Sequence, residues 1–294
     1  MTALERRYRR LLLAYPRQYR VAHGDELLDV LLDSAAPGQS FPVLREAWGL
    51  LRGGVRTRIT NQATGNAWAD GLHLGITAVS AANLAALLPY AGPLPLWTLL
   101  SALALLAVMR GWVWPALALT FATGVKAVAI AGGWPLLDLT LLPVYPSALT
   151  DLPLFQTSSP VVVAASYGVV LSGLAVLIWR RHRPRVRSWW WFAAAVAASW
   201  AGPSWLPAHT WFPISLSKMA VEVVALGLAV AGAYLARDPR WALASGIYLL
   251  VTSGDLGLHG DELTRQHLAY WGVLVVMTLA TAFAPYRQRR HCLD

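Results

Sequence analysis

Eight blocks of apolar residues, each close to the length that crosses a lipid bilayer, constrain this chain more than any other feature. They run roughly over Gly71–Tyr90, Leu94–Met109, Trp112–Gly133, Pro160–Trp179, Ser188–Leu206, Leu216–Ala236, Trp241–Gly257 and Leu268–Tyr286. A spanning helix needs about 20 predominantly apolar residues, with a lower limit near 17. The second block is short and borrows from the turn PYAGPLP before it. The outer end of the fifth is interrupted by Gly202 and Pro203, and Asp138–Leu149 is too short and proline-broken to cross. Composition agrees: only 13% of residues are charged and mean hydropathy is +0.48, where soluble domains carry about 25% charged residues.

Arginine placement sets an expected orientation, because cytoplasmic loops collect Lys and Arg near membrane ends. With the N-terminus inside and eight crossings, the inner side holds 21 of the 24 basic residues. These are the arginines of residues 1–70, Arg110, the run Arg180–Arg187, Arg237, Arg240 and the run Arg287–Arg290. Lys218 and Arg265 fall outside and Lys126 falls within a span, while the long loop Pro135–Ser159 has no basic residue. Tryptophans agree, since indoles favour the headgroup region: Trp112, Trp114, Trp179, Trp189–Trp191 and Trp241 mark the inner boundary, and Trp97, Trp134, Trp205, Trp211 and Trp271 the outer. The formal charge of +9 is thereby explained without nucleic acid, and no direct nucleic-acid binding is expected. Gly168 and Ser172, four residues apart, are expected to allow close helix contact.

The expected fold is all-α, a small cytoplasmic three-helix domain followed by a polytopic bundle of about eight transmembrane helices. Residues 1–60 form the cytoplasmic domain, 61–70 a juxtamembrane linker, 71–286 the bundle and 287–294 a basic cytoplasmic tail. No cleavable signal peptide is expected, because the apolar run Leu11–Tyr15 is too short for one. In the first helix Leu4, Tyr8, Leu11, Leu12 and Tyr15 share a face, and Tyr15–Pro16 ends it. Asp25 is placed to cap a second helix after Gly24, with Leu27, Leu28, Leu31 and Leu32 as its apolar face. Pro42 suits the first turn of a third helix, whose stripe is Leu44, Ala47, Trp48 and Leu51 and whose end is Gly53–Gly54. Asp25, Asp29 and Asp33 recur every four residues as an acidic ridge. It is either a solvated face paired with Arg17 or Arg20, or a docking surface for another protein.

Here the pattern YRRLLLAYPRQYR…GDELLDVLLD…REAWGLLRGG resembles the helical prefix domain of actinobacterial membrane proteins, similar to HAAS-type signalling domains and to permease prefixes. The resemblance covers about residues 4–58 and rests on Tyr15–Pro16, Arg20, Gly24, Glu26–Leu27 and Glu46–Ala47. It implies a cytoplasmic interaction module, with a PadR-like transcription regulator as partner in the HAAS-like case, and a prefix attached to an ABC-type permease component in the other.

Chemical motifs are sparse. There is no phosphate-binding glycine loop, nucleophile elbow or HExxH sequence, and the lack of a Walker A sequence excludes an ABC ATPase. Lys126, Glu222 and Asp255 lie in or at the edge of spans, where a charge must find a partner. Lys126 is about 12 Å below Trp134 and Glu222 about 9 Å below Leu216 at 1.5 Å per residue. At comparable depth they could form an intramembrane pair, either structural or part of a ligand or proton site. His209, Asp255, His259, Asp261, Glu262 and His267 are weak candidates for an outer-face divalent metal, lacking a helix-borne histidine pair. The single Cys292 excludes a disulfide framework and could be acylated. The pentapeptide HGDEL at His23–Leu27 and His259–Leu263 has no flanking similarity, which makes it coincidence.

Taken together, the residues favour a regulatory or sensory membrane protein with no catalytic residues and no cofactor. The alternatives are a transporter or permease component, then an outer-face metal-dependent membrane enzyme. The orientation can be checked by cysteine labelling in a Cys292→Ser background. An impermeant reagent applied to intact cells should modify Ser158→Cys and spare Ser188→Cys; the opposite pattern would overturn the orientation.

Overall fold

In a computed structural model the described residues are 2–36, 39–62, 65–92, 94–134, 159–201, 214–258, 260 and 263–290. They form helices and turns, with no strands among them. The chain divides into two compact units, Met1–Gly65 and Asn66–Asp294.

Among the described residues the first unit holds three helices: α1 (Ala3–Leu12), α2 (Arg17–Asp33) and α3 (Leu44–Gln62). A reciprocal capping box opens α1: the Thr2 side chain accepts from the Glu5 backbone, and Glu5 answers at the Thr2 N–H. Two otherwise unpaired donors are satisfied that way. Pro16 then forces the chain to turn, and α2 starts at the next residue. Leu4, Tyr8, Leu12, Tyr15, Leu28 and Leu50 make the core, with Leu27, Leu31 and Leu32 packed against it.

Two expectations are corrected. The second helix does not begin at Asp25; α2 runs through Gly24 without a break. A helical glycine costs about 1 kcal/mol against alanine, less than the contacts of Tyr19, Leu27, Leu28 and Leu31 on one continuous face. The second correction concerns α3. Leu44 and Trp48 of its expected stripe are 88% and 69% exposed, Leu51 is exposed as well, and the residue that enters the core is Leu50. Gly53 and Gly54 do not end the helix but mark its contact face. A Cβ at Gly54 would lie 2.7 Å from that of Ala14. Glycine lets the α3 backbone approach there, and the bulkier residues are left on the far side.

The second unit comprises α4 (Ala67–Leu87), α5 (Pro95–Arg110), α6 (Val113–Ala131), α7 (Pro160–Trp179), α8 (Trp190–Ser199), α9 (Leu216–Ala236), α10 (Arg240–Leu258) and α11 (Arg265–Arg290). Asn66, Ser159 and Ser215 cap α4, α7 and α9, each side chain accepting a backbone N–H of the first turn. Central α4 touches α5, α7, α8 and α10, while α6 leans on α5 and α7, and α9 on α10 and α11. One core joins Ala69, Ile76 and Val79 of α4 to Ala107, Val108, Ala116, Val170, Leu174 and Leu177. Small residues set the α4–α10 distance: an added Cβ at Gly71 would lie 2.8 Å from the Arg240 carbonyl oxygen.

Among the described residues five helices are long and apolar enough to cross a membrane: Ala67–Tyr90, Val113–Ala131, Pro160–Trp179, Leu216–Ala236 and Arg265–Pro285. Their outward side chains include Phe121, Val161, Val224, Leu228, Val276 and Phe283, all exposed, as suits a protein whose solvent is lipid. Of the remaining three blocks, α5 has 16 residues and α8 has 10, and α10 is interrupted by Ser245, Thr252 and Ser253. The expected contact through Gly168 and Ser172 is not made. Both are exposed, since α7 buries Val163, Tyr167, Val170, Leu174 and Leu177 on its other face. Gly124, whose added Cβ would lie 3.0 Å from Tyr167, is a close contact instead.

The face assignment of α3 has a direct test in the full-length protein in detergent. Leu50→Ala should cost about 2–4 kcal/mol, as deletion of a buried leucine does, read as lost hydrogen-exchange protection of α1. Trp48→Ala should stay within about 0.5 kcal/mol. Equal losses at both positions would reverse the assignment.

Candidate functional site

An ionised group inside an apolar bundle persists only if partners replace the water it gave up. Asp70, in the first turn of α4, has such partners on both oxygens. The Arg187 guanidinium donates to Oδ1 at 2.6 Å and to the Asp70 carbonyl at 2.9 Å. Arg240, at the start of α10, donates to Oδ2 at 2.6 Å from one nitrogen, and at 3.0 Å to Asp238 from another. Two carboxylates and two guanidiniums therefore balance in charge. The Arg240 side chain is 3% exposed and that of Asp70 is 9%, so solvent screening is slight.

His73, one turn along α4, joins the cluster. Arg187 donates from Nε to His73 Nδ1 at 3.2 Å, and Nε2 lies 2.8 Å from the Val108 carbonyl. With Nδ1 accepting, the ring proton resides on Nε2 and is donated to that carbonyl. The Arg187 backbone N–H donates to the Met109 carbonyl at 2.8 Å. The Met109 carbonyl, left open in the last turn of α5, is thus satisfied from outside the helix, the Val108 carbonyl gains a second donor beside the Gly111 N–H at 3.0 Å, and the Arg187 charge lies at the negative end of the helix dipole. Gly111, at φ +72, ends α5. One cluster thereby ties α4, α5, the segment before α8 and the α9–α10 turn. Burial pushes the Arg187 guanidinium below its ordinary value, with the Asp70 carboxylate acting the other way.

A second buried carboxylate is Glu222 on α9. Tyr248 of α10 donates to one oxygen at 2.7 Å, and Tyr270 of α11 donates to the other. Lys126 is also buried, its ammonium 5.9 Å from the centre of the Trp97 ring on α5. No direct ion pair joins Lys126 to Glu222 among the described residues. The carboxylate is held by two phenols from neighbouring helices instead.

In the first unit Asp25, Asp29 and Asp33 are all exposed along α2. Among the described residues none pairs with Arg17 or Arg20, and the nearby ion pair is His23 with Glu26. Tyr8 donates to Glu46 at 2.6 Å. Burial first, then the Glu46 carboxylate, push that phenol up to about 12, which keeps it a donor at neutral pH. Of the metal candidates, His209, His259, Asp261 and Glu262 lie outside the described residues, as do Cys292 and the loop Asp138–Leu149, and so does the Asp255 side chain. His267 is buried beside Thr264, whose hydroxyl is 2.9 Å from Nδ1. Among the described residues no group of three metal-ligating side chains comes together.

Sequence reasoning missed Asp70, His73 and Asp238, and treated Arg187 and Arg240 as topological charges only. A usable signal existed: Asp70 and His73 are polar residues one turn apart at the edge of the first apolar block. Asp70→Asn should leave two buried guanidiniums short of charge, costing about 3–5 kcal/mol, and should lower the melting temperature in detergent. Asp238→Asn, which removes one partner of Arg240 alone, should cost less; the reverse order would remove Asp70 from the centre of the cluster.

No protein-family model, no curated protein and no solved structure matches this chain, and the prefix-domain resemblance of residues 4–58 accordingly rests on its own residues.

Proposed function

We propose that this chain is a regulatory or sensory protein of a bacterial cytoplasmic membrane, crossing it eight times with both termini cytoplasmic. Residues 1–60 dock a cytoplasmic protein such as a PadR-like transcription regulator, and the bundle anchors that module and receives the signal. The observation that carries this reading is the outer face of α2. A unit with its own core leaves Asp25, Asp29 and Asp33 exposed and outside any internal ion pair among the described residues. A row of free carboxylates is worth little to the fold and favours encounter with a basic partner surface. Arg17 and Arg20 lie near the start of the same helix and help set the register of a partner.

A second reading, transport through the bundle, is favoured by Glu222, a carboxylate buried between α9, α10 and α11 with two phenol donors. Buried carboxylates of this kind mark ion or proton paths.

The two readings separate in one set of measurements on the full-length protein. Detergent-solubilised protein should capture a purified winged-helix regulator, and Asp29→Arg should weaken capture by about tenfold or more, which is about 1.4 kcal/mol. Glu222→Gln should leave capture unchanged. Absence of capture, together with a proton or ion flux in proteoliposomes that Glu222→Gln abolishes, would replace the first reading with the second.

A further inference from the structure

The face of α3 that stays out of the core has a composition of its own. Leu44, Trp48, Leu51 and Val55 recur at i, i+4, i+7 and i+11 and therefore line one side of the helix. They are 88%, 69%, 38% and 50% exposed. Phe41 and Val43, just before the helix, are exposed too. Arg45, Arg52 and Arg56 are exposed along one edge of this stripe. Glu46, the single acidic residue of α3, is turned inward by the hydrogen bond from Tyr8. A cleft of about 500 Å³ between α1 and α3 opens beside the stripe, lined by Arg7, Arg10, Ala47 and Leu51 among others.

An apolar row led by Trp and Leu, edged by arginine and free of acid, is the arrangement of a helix that lies in a lipid headgroup layer. Connectivity adds a second constraint. Residues 63–66 alone separate α3 from the helix Ala67–Leu87, which is apolar enough to cross a membrane. Five Cα steps reach at most about 18 Å, so the end of α3 cannot leave the vicinity of that membrane. A freely diffusing protein must compete for the stripe against a lipid surface that is always present.

We propose that the Leu44–Trp48–Leu51–Val55 face of α3 docks on the anionic leaflet of the membrane, with Arg45, Arg52 and Arg56 meeting lipid phosphates. The acidic ridge of α2 is on a different helix and is left for protein. Attachment to lipid is electrostatic at the edges and apolar at the centre, so it responds to lipid charge and to salt.

The test uses full-length protein carrying Cys292→Ser, spin-labelled at Val55→Cys, with Asp29→Cys as the water-exposed reference. Nanodiscs of equal phosphatidylcholine and phosphatidylglycerol are compared with phosphatidylcholine alone, and collision with a water-soluble nickel chelate is measured. In the mixed discs the label at position 55 should be shielded and that at position 29 accessible. Each arginine near an anionic surface contributes about fivefold, so Arg45→Gln/Arg52→Gln/Arg56→Gln should lower the docked-to-free ratio roughly 100-fold. Those arginines are exposed, and their loss leaves the core of the unit intact. Equal accessibility at positions 55 and 29 in the mixed discs would overturn the proposal. Shielding that persists in phosphatidylcholine and in the triple variant would overturn it too, and would assign the face to the protein's own bundle, a second copy or another protein.

Discussion

The Asp70 carboxylate, held between Arg187 and Arg240, is the contact on which the membrane unit depends. Two guanidiniums from segments 117 and 170 residues away converge on one side chain. With side chains only 3–13% exposed, none of the three charges is well tolerated alone, so loss of one strands the others. That requirement fixes where the α9–α10 turn and the segment before α8 lie against α4. It also explains the glycine at position 71, where the Arg240 backbone comes within contact distance of α4.

Three further polar contacts in the bundle follow the same rule with different chemistry. Glu222 is met by two phenols, Ser253 by the indole of Trp271 at 2.9 Å, and Ser166 by Asn83 at 2.7 Å. Each contact joins a pair of helices that apolar packing alone would leave free to slide, because lipid gives no hydrophobic preference for one helix over another. Polar contacts thus set register, and the exposed leucines, valines and phenylalanines set orientation toward lipid.

Much of the helical layout was legible in the sequence, and the reason is length: a block such as Pro160–Trp179 is both apolar and about 30 Å long as a helix. Facing was harder to read. The α3 stripe was assigned to the core because Leu44 and Trp48 are large, whereas the side that packs is marked by Gly53 and Gly54, which carry no hydropathy signal. The same bias placed Gly168 at an interface that Val170 and Leu174 define from the opposite face of α7. For the charged cluster, spacing carried no information, since its members are far apart in the chain. Arginines are also overdetermined as topological signals, which hid their second role. Glu222 was recognisable as a buried charge from its position alone; its tyrosine partners come from two other helices and were not.

The cluster around Asp70 has a consequence in time. In the orientation proposed above, Arg187 and Arg240 meet the insertion machinery before α10 has packed on α4, and so as cations without Asp70. In that state they resist passage across the membrane, and acidic residues weigh little in the opposing sense. Once the helices pack, the same two cations are absorbed by Asp70 and Asp238 and vanish from the outer electrostatics of the molecule. In that orientation charges that first brake translocation end as fasteners, and a substitution at either arginine acts twice: on which way the chain threads, and on whether the threaded chain closes.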